Sequence, residues 1–430
     1  MIYKLKVLIV TYYWVPAGGS GVQRWLKFVK YLRSFGIEPV IYTVENPNYP
    51  LVDTSLCIDI PENIEIIKSP ILEPNNLLSR FKKKGSKTSA GFLNPNPTFF
   101  GKILQYIRAN YFIPDARKFW VKPSVKKLKN YLKENTVDIL ITTGPPHSMH
   151  LIGLQLKKEL GIKWVADFRD PWTDIDYFHQ LPLTKKSIKK HHKLEKEVLK
   201  KADATLVIGK TMKENYCDYS NKIYVVTNGY DNEEDQKEKI NLDETFSITH
   251  IGLMNADRNP KILWEVLDEI CKENVQFSND LEIKLIGKVA KEIDETLEKY
   301  SFKGVKKINY VPHNEVLNYQ KKSQILLLAV NNVPSAKGII TGKIFEYLQA
   351  KRPILAIGPE NGDLAEILNV TNSGDIVSFD NKRKLKIIIT NLYNSYKAQN
   401  LTVDSKDIGK FHRQELTRQL TEILKEINNS

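Results

Sequence analysis

Short, almost uninterrupted apolar runs recur along the chain, and stretches with helical period separate them. The first run is Lys6-Val7-Leu8-Ile9-Val10. A run without polar alternation marks a strand covered on both faces, as in a parallel sheet. A glycine-rich turn follows, Pro16-Ala17-Gly18-Gly19-Ser20-Gly21, and then a segment that places Trp25, Phe28, Val29 and Leu32 on one helical face. Gly36 ends that helix and Val40-Ile41-Tyr42 begins a second strand. Further strands are predicted at Ile139-Leu140-Ile141, Trp164-Val165-Ala166, Thr205-Leu206-Val207-Ile208 and Tyr224-Val225-Val226. This strand–helix alternation predicts an α/β, doubly wound sheet.

Residues 74–123 interrupt the rhythm. They are rich in Pro, Asn, Lys and aromatics, and they predict an insertion with one or two helices near Lys102 to Tyr111 rather than core sheet. Asn228-Gly229-Tyr230-Asp231 and the polar run to Asp243 suggest a linker. The rhythm then restarts, with strands at Ile248-Thr249-His250-Ile251, Ile283-Lys284-Leu285-Ile286, Ile325-Leu326-Leu327-Leu328 and Ile354-Leu355-Ala356-Ile357. The expected domains are residues 1–231, residues 232–404 and a closing helical segment, residues 405–430.

A chain of 430 residues accommodates two such domains. No apolar run is long enough for a transmembrane helix, and a first strand at Leu5 leaves no room for a cleaved leader. Cys57, Cys217 and Cys271 lie far apart and fit neither a disulfide framework nor a zinc site. The expected setting is a reducing cytoplasm. The net charge of +14 is lopsided: residues 1–231 hold 36 Lys and Arg against 21 Asp and Glu, whereas the remainder holds 28 against 29. The excess attracts an anionic partner, or is a set of solvated lysine faces.

Candidate chemistry lies at the predicted strand ends, where open α/β sheets bind ligands. The turn around Gly19 opens a helix and could hold a phosphate or hydroxylated group, although it is not a strict dinucleotide fingerprint. In Trp164-Val165-Ala166-Asp167-Phe168-Arg169-Asp170-Pro171-Trp172, three charges cluster where an apolar strand ends. Charges there are costly unless paired or used. They form either a structural Asp–Arg pair or a reacting group. His147 and His150 follow another strand end with one-face helical spacing, and they lack further ligands for a metal. Asp115, Arg117 and Trp120 combine charge with an indole, a combination suited to a sugar face or to local packing.

The second half carries the sharpest cluster, Gly338-Ile339-Ile340-Thr341-Gly342-Lys343-Ile344-Phe345-Glu346-Tyr347-Leu348. Gly338 and Gly342 allow close backbone approach, and a helix start favours a diphosphate. Lys343 suits phosphate and Glu346, one turn on, suits ribose hydroxyls. Thr341 lies in the same loop. Upstream, Arg258 could grip a diphosphate as a fork, and Lys288 is a second phosphate candidate.

Together these motifs resemble the family 4-like retaining glycosyltransferases of the GT-B fold. The most specific parts are Asp167-Phe168-Arg169-Asp170-Pro171-Trp172, Asn228-Gly229-Tyr230-Asp231, and residues 342–348 with Pro353-Ile354-Leu355 behind them. The resemblance implies two Rossmann-like domains facing across a cleft, the C-terminal one holding a nucleoside-diphosphate sugar and the N-terminal one the acceptor, with a final helix crossing back. It matches Glu346 to the family's ribose-binding glutamate and Gly19 to the glycine loop near the donor phosphates. It places Arg258 where many members have a lysine, and Arg169 where many have a histidine. Two positions depart from the pattern. Gly338 stands where many members carry a sugar-binding glutamate, and Leu253 where many carry an arginine.

The expected activity is therefore sugar transfer with retention, without a metal or other cofactor. The expected donor-binding residues are Gly19, Arg258, Lys288, Gly338, Thr341, Gly342, Lys343 and Glu346. The expected catalytic residues are Asp170, Asp167 and Arg169: Asp170 or Asp167 would orient the acceptor hydroxyl, Arg169 would lie near the donor sugar, and His147, Asp115, Arg117 and Trp120 would contact the acceptor. The acceptor is expected to be a saccharide or lipid-linked precursor of a surface polysaccharide such as lipopolysaccharide or capsule. A peripheral association with an anionic membrane follows from Lys185–Lys201, where eight Lys face two Glu beside Ile188, Leu194, Val198 and Leu199. Phe99, Phe100, Tyr106, Tyr111 and Phe112 of the insertion would dip into the interface. The competing readings are an epimerase or hydrolase on the same fold, and a basic nucleic-acid-binding protein. No nucleic-acid-binding module is recognisable, so no nucleic acid is expected as a partner.

Overall fold

The computed structural model describes residues 5–73, 98–220, 222–231, 241–309 and 311–430. The chain forms two compact units. The first comprises residues up to Asn228 together with Arg413–Ser430, and the second is Gly229–His412. The division thus falls three residues before the one expected. The returning segment starts at Arg413 rather than residue 405, because residues up to His412 still pack in the second unit.

In chain order the first unit runs β1 (Leu5–Val10), α1 (Ser20–Leu32), β2 (Ile37–Val44), β3 (Glu65–Ser69), α2 (Phe99–Tyr111), α3 (Val121–Glu134), β4 (Ile139–Gly144), α4 (Ser148–Leu160), β5 (Lys163–Phe168), α5 (Lys185–Lys201), β6 (Ala204–Val207), α6 (Lys210–Tyr216) and β7 (Ile223–Val225). The strands form one sheet in the order β3-β2-β1-β4-β5-β6-β7, with every pairing parallel. Successive residues of a strand point to opposite faces, and both faces here are covered. Leu8 and Val10 enter one core with Trp120, Leu128, Met149 and Trp164. Val7 and Ile9 enter the other with Val22, Leu26 and Val29 of α1. That is why β1 reads as an unbroken apolar run.

The second unit runs β8 (Phe246–Ile251), α7 (Lys261–Glu273), α8 (Val275–Asp280), β9 (Leu281–Ile286), α9 (Lys291–Leu297), β10 (Val305–Ile308), α10 (His313–Lys322), β11 (Ile325–Ala329), α11 (Lys343–Ala350), β12 (Ile354–Ile357), α12 (Asp363–Thr371), β13 (Gly374–Val377) and α13 (Lys382–Lys397). Its sheet has the order β10-β9-β8-β11-β12-β13, again parallel throughout. Helix α14 (Arg413–Asn429) belongs to the first unit, where Leu416, Leu420, Leu424 and Ile427 complete the core lined by α1. Their spacing of four, four and three residues forms one helical stripe. Both sheets reverse strand order beside their first strand, between β1 and β4 and between β8 and β11. Loops leaving the carboxyl ends of these strands diverge there and leave room for a ligand.

One expectation changes, and two segments cannot be compared. Of the insertion, residues 74–97 lie outside the described residues, and α2 is the helix expected near Lys102. Residues 232–240 of the linker also lie outside them. Most of the apolar side of α5 does not face outward: Val198 and Leu199 are buried and Leu194 packs on the same core, while Ile188 stays 36% exposed. The fold consumes all of the face expected to contact lipid except Ile188, and α5 presents mainly its lysines.

Candidate functional site

In the second unit the loop after β8 turns at Gly252, whose φ of +104° lies in the left-handed region that glycine adopts without strain. The next carbonyl, that of Leu253, accepts two cationic donors: Lys343 Nζ at 3.3 Å and Arg258 Nη1 at 3.3 Å. Asn331, buried just past the end of β11, fixes the other edge of the guanidinium by accepting from Arg258 Nε at 2.6 Å. A backbone bond from Asn332 N to Asp257 O (2.9 Å) ties the two loops together. Two cations thus share one neutral oxygen at the switch point of the sheet.

The electrostatics follow from that crowding. Burial, and then the charge of Arg258, push the Lys343 ammonium down to about 7, while Glu346 pulls it the other way. His250 lies beneath with Nδ1 against Leu327 O (3.2 Å), and burial together with Lys343 holds it neutral, down to about 3. An anion entering here would meet two converging cations. It would also meet the start of α11, where Ile344 N already donates to Thr341 O at 3.2 Å but the helix dipole still favours negative charge. Thr341 precedes Gly342 and Lys343, and its buried hydroxyl has no hydrogen-bond partner among the described residues. One turn into α11, Glu346 Oε2 accepts from Gln320 Nε2 at 3.4 Å. The structure therefore brings Arg258, Thr341, Gly342, Lys343 and Glu346 together. Gly338 closes a single turn of 3-10 helix in the preceding loop. Lys288 is exposed on the loop after β9, and its carbonyl accepts from Met254 N (3.0 Å).

In the first unit, Gly19 has a φ of +83° and opens α1. The side chain of Arg169 reaches that turn, donating from Nη1 to Gly21 O at 2.7 Å and from Nη2 to Pro145 O at 3.4 Å. It clamps the loops after β1, β4 and β5 and also donates to Asp170 Oδ2 at 3.3 Å. The Asp170 side chain stays 41% exposed, so its second oxygen can meet a solute.

Asp167 differs sharply. Its side chain is fully buried, Arg24 Nη2 donates to it at 2.8 Å, and Trp25 Nε1 and Thr143 Oγ1 donate at 2.7 and 2.8 Å. Burial alone would raise its pKa, but Arg24 and these donors outweigh it and hold the carboxyl below its usual range. Arg24 also donates to the carbonyls of Val226 and Thr227 and to Asn228 Oδ1. The pair fastens α1, β5 and the chain leaving β7. The expectation that either aspartate could meet the acceptor therefore narrows to Asp170.

The other expected acceptor residues are built into the fold. Trp120 is buried and stacks on Tyr42, centroids 5.0 Å apart at 19°, so its face is not available to a sugar. Asp115 accepts from the backbone N and the hydroxyl of Ser148, both at 2.9 Å, and so caps α4 from outside. Arg117 lies over the Tyr12 ring and 3.2 Å from Glu73 Oε1. His147 stacks on Trp172, centroids 4.8 Å apart at 6°, and His150 stacks on Phe168 with Nδ1 at 2.9 Å from Thr142 Oγ1. Burial, together with His150 and Arg169, keeps His147 neutral.

Sequence reasoning missed Arg24, Asn331 and the seating of Lys343 over Gly252. Arg24 carried a signal, a lone charge inside the buried stripe of α1. Asn331 carried one too, a polar residue just past an apolar strand at the ligand edge.

No curated protein sequence matches the chain. Among solved structures it resembles the lipopolysaccharide outer core galactosyltransferase WaaB (12% identity, 98% of this chain and 100% of that one, TM-score 0.58). It also resembles a sucrose-phosphate synthase from Thermosynechococcus elongatus (13%, 99% and 97%, TM-score 0.57) and the UDP-GlcNAc 2-epimerase from Methanocaldococcus jannaschii (14%, 98% and 100%, TM-score 0.51). Identities this low establish the shared fold alone, the GT-B arrangement of two Rossmann-like domains. The sequence pattern of Glycosyltransferase Family 4 matches residues 20–234, half of the chain. With that match beside the fold just described, the chain belongs to Glycosyltransferase Family 4.

Proposed function

We propose that the chain transfers a glycosyl group from a nucleoside-diphosphate sugar to a hydroxyl of a saccharide or lipid-linked acceptor, with retention of configuration. The observation that carries the donor assignment is the convergence of Lys343 and Arg258 on the Leu253 carbonyl at the start of α11. Holding two cations on one neutral oxygen costs free energy that a diphosphate offsets. Thr341 adds a hydroxyl donor, and Glu346 accepts from the ribose hydroxyls.

In this reading the bond between the anomeric carbon and the diphosphate oxygen breaks, and both bonding electrons leave with the diphosphate. Arg258, Lys343 and the helix start stabilise that charge as it develops. The acceptor oxygen bonds to the anomeric carbon on the same face, and its proton passes to the departing phosphate oxygen. Asp170 orients the acceptor hydroxyl before attack. The residues present supply positive charge at the leaving group themselves, so the proposal gives no step to a metal or other cofactor. The proposed acceptor belongs to a surface polysaccharide, of the kind named for the fold neighbour WaaB, a lipopolysaccharide outer core galactosyltransferase.

The test is a thermal-shift screen of the whole chain with UDP-, GDP- and dTDP-sugars, followed by product analysis with and without acceptor. A ligand at 100 times its Kd raises stability by about 2.7 kcal/mol. One nucleotide class should shift the melt, and the shift should vanish in Lys343→Met. A melt unmoved by every nucleotide refutes the donor site. Turnover to an epimer or free sugar without acceptor replaces transfer by the epimerase or hydrolase reading.

A further inference from the structure

Helix α2 is built inside out. Its least exposed positions are Gly101, Gln105, Ala109 and Asn110, small or polar residues. Its large apolar residues face solvent: Phe99 is 75% exposed, Phe100 77% and Tyr111 66%, with Ile103, Leu104 and Ile107 also exposed. At 100° per residue these six side chains fall within one face of a helix about 20 Å long. No residue of α2 is buried. An ordinary surface helix turns its apolar stripe inward, so a contiguous outward stripe marks an interaction surface.

A second feature adjoins it. Asn110 of α2 donates to Pro182 O (2.8 Å) and accepts from Thr184 N (2.8 Å), and Thr184 caps α5. All eight lysines of α5 are exposed. Its two glutamates do not offset them outward. Glu195 is buried against Thr173 and Tyr216, and Glu197 pairs with Lys158. Between the two helices, Lys118 lies over the rings of Phe112 and Phe119, and Phe119 is itself exposed.

We infer that α2 and α5 form one docking face for an anionic lipid bilayer, α2 entering the headgroup–acyl boundary while the lysines of α5 meet the lipid phosphates. The charge selects the occupant. A second copy would set eight lysines against eight lysines, whereas an anionic bilayer complements them and accepts the apolar stripe beside them. The apolar component comes mainly from α2, because the fold has used that of α5 except for Ile188. Among the described residues no helix is long and apolar enough to cross a membrane. The face belongs to the first unit and does not depend on the donor site.

The experiment is flotation of the full chain with vesicles of phosphatidylcholine, with and without phosphatidylglycerol. The protein should float with the anionic vesicles and be released by salt. Phe99→Ser/Phe100→Ser/Ile103→Ser should lower the bound fraction about tenfold, since each change removes apolar area from the interface. Lys186→Glu/Lys189→Glu/Lys193→Glu should lower it comparably. Both variants alter exposed positions, so melting midpoint and nucleotide binding should match wild type. The proposal fails if the wild type does not float with anionic vesicles, or if the apolar triple variant floats as well as wild type. It also fails if the wild type is a dimer in solution that this variant dissociates, because the occupant is then a second copy.

Discussion

Gly252 and Lys343 are packed face to face: a Cβ on Gly252 would stand 2.7 Å from Lys343 Cε. The absent side chain is what lets the lysine lie across the loop and reach the Leu253 carbonyl. Gly252→Ala therefore acts twice. A φ of +104° strains an L-residue by about 1–3 kcal/mol, and the new methyl displaces the lysine tip. The expected result is a lower melting midpoint and a nucleoside-diphosphate affinity reduced at least about tenfold by calorimetry. Unchanged affinity would separate the lysine from the donor site.

Lys343 should trade stability for binding. Its folded-state pKa of about 7 lies below its ordinary 10.5, so the unfolded chain holds more protons between those values. Stability therefore rises with pH across that window, and the full penalty applies below it. Lys343→Met keeps the length and removes the charge. It should stabilise the ligand-free protein by about 2–4 kcal/mol near pH 6, with the difference shrinking toward pH 10, and it should abolish diphosphate binding. Denaturant melts at several pH values check the first effect and calorimetry the second. A variant less stable than wild type at pH 6 would contradict the burial argument.

Diphosphate binding should take up a proton. A bound anion restores the charge that burial and Arg258 oppose, raising the Lys343 pKa in the complex. At pH 8 the free lysine is mostly neutral, so binding should draw in close to one proton. At pH 6 it is already charged and uptake should be near zero. Calorimetry in buffers of differing ionisation enthalpy measures this. Uptake that does not change between the two values would mean that Lys343 is not the group meeting the phosphate.

What was legible in the sequence was set by burial on both sides. Strands β1, β4, β5, β8, β11 and β12 are buried along nearly their whole length and read as apolar runs. Strands β3, β10 and β13, three of the four sheet edges, were missed because charge interrupts them, whereas the fourth edge, β7, carries none and was read. Glu65, Lys68, Lys306, Lys307 and Asp375 interrupt their apolar residues with charge. The cluster around Lys343 was legible because one loop and one helix start supply most of its residues. The residues expected on the acceptor also hold the fold together, which was not legible because their partners are distant in sequence. Asp115 caps Ser148, Arg117 meets Glu73, and Trp120 stacks on Tyr42. A charged group beside an indole looks alike locally whether it meets a sugar or its own fold.

Asp167 and Asp170, three residues apart, should respond in opposite ways to the same change. Asp167→Asn leaves the Arg24 guanidinium buried without its counter-charge, a loss of about 3–5 kcal/mol for a buried pair. The melting midpoint should fall by about 6 °C or more, and transfer should fall only because less protein is folded. Asp170→Asn changes a half-exposed carboxylate that meets Arg169 at 3.3 Å, so the midpoint should stay near wild type. Nucleotide affinity should also stay, while kcat falls at least about a hundredfold if the carboxylate orients the acceptor hydroxyl. The pH dependence separates them again. Asp167 has a depressed folded-state pKa, so its contribution to stability is present above the ordinary carboxylate range and lost as pH falls through the folded value. Acid melts of Asp167→Asn should therefore be flatter than those of wild type. If Asp170→Asn turns over normally, the acceptor role passes from this carboxylate to another group on the loops that Arg169 clamps.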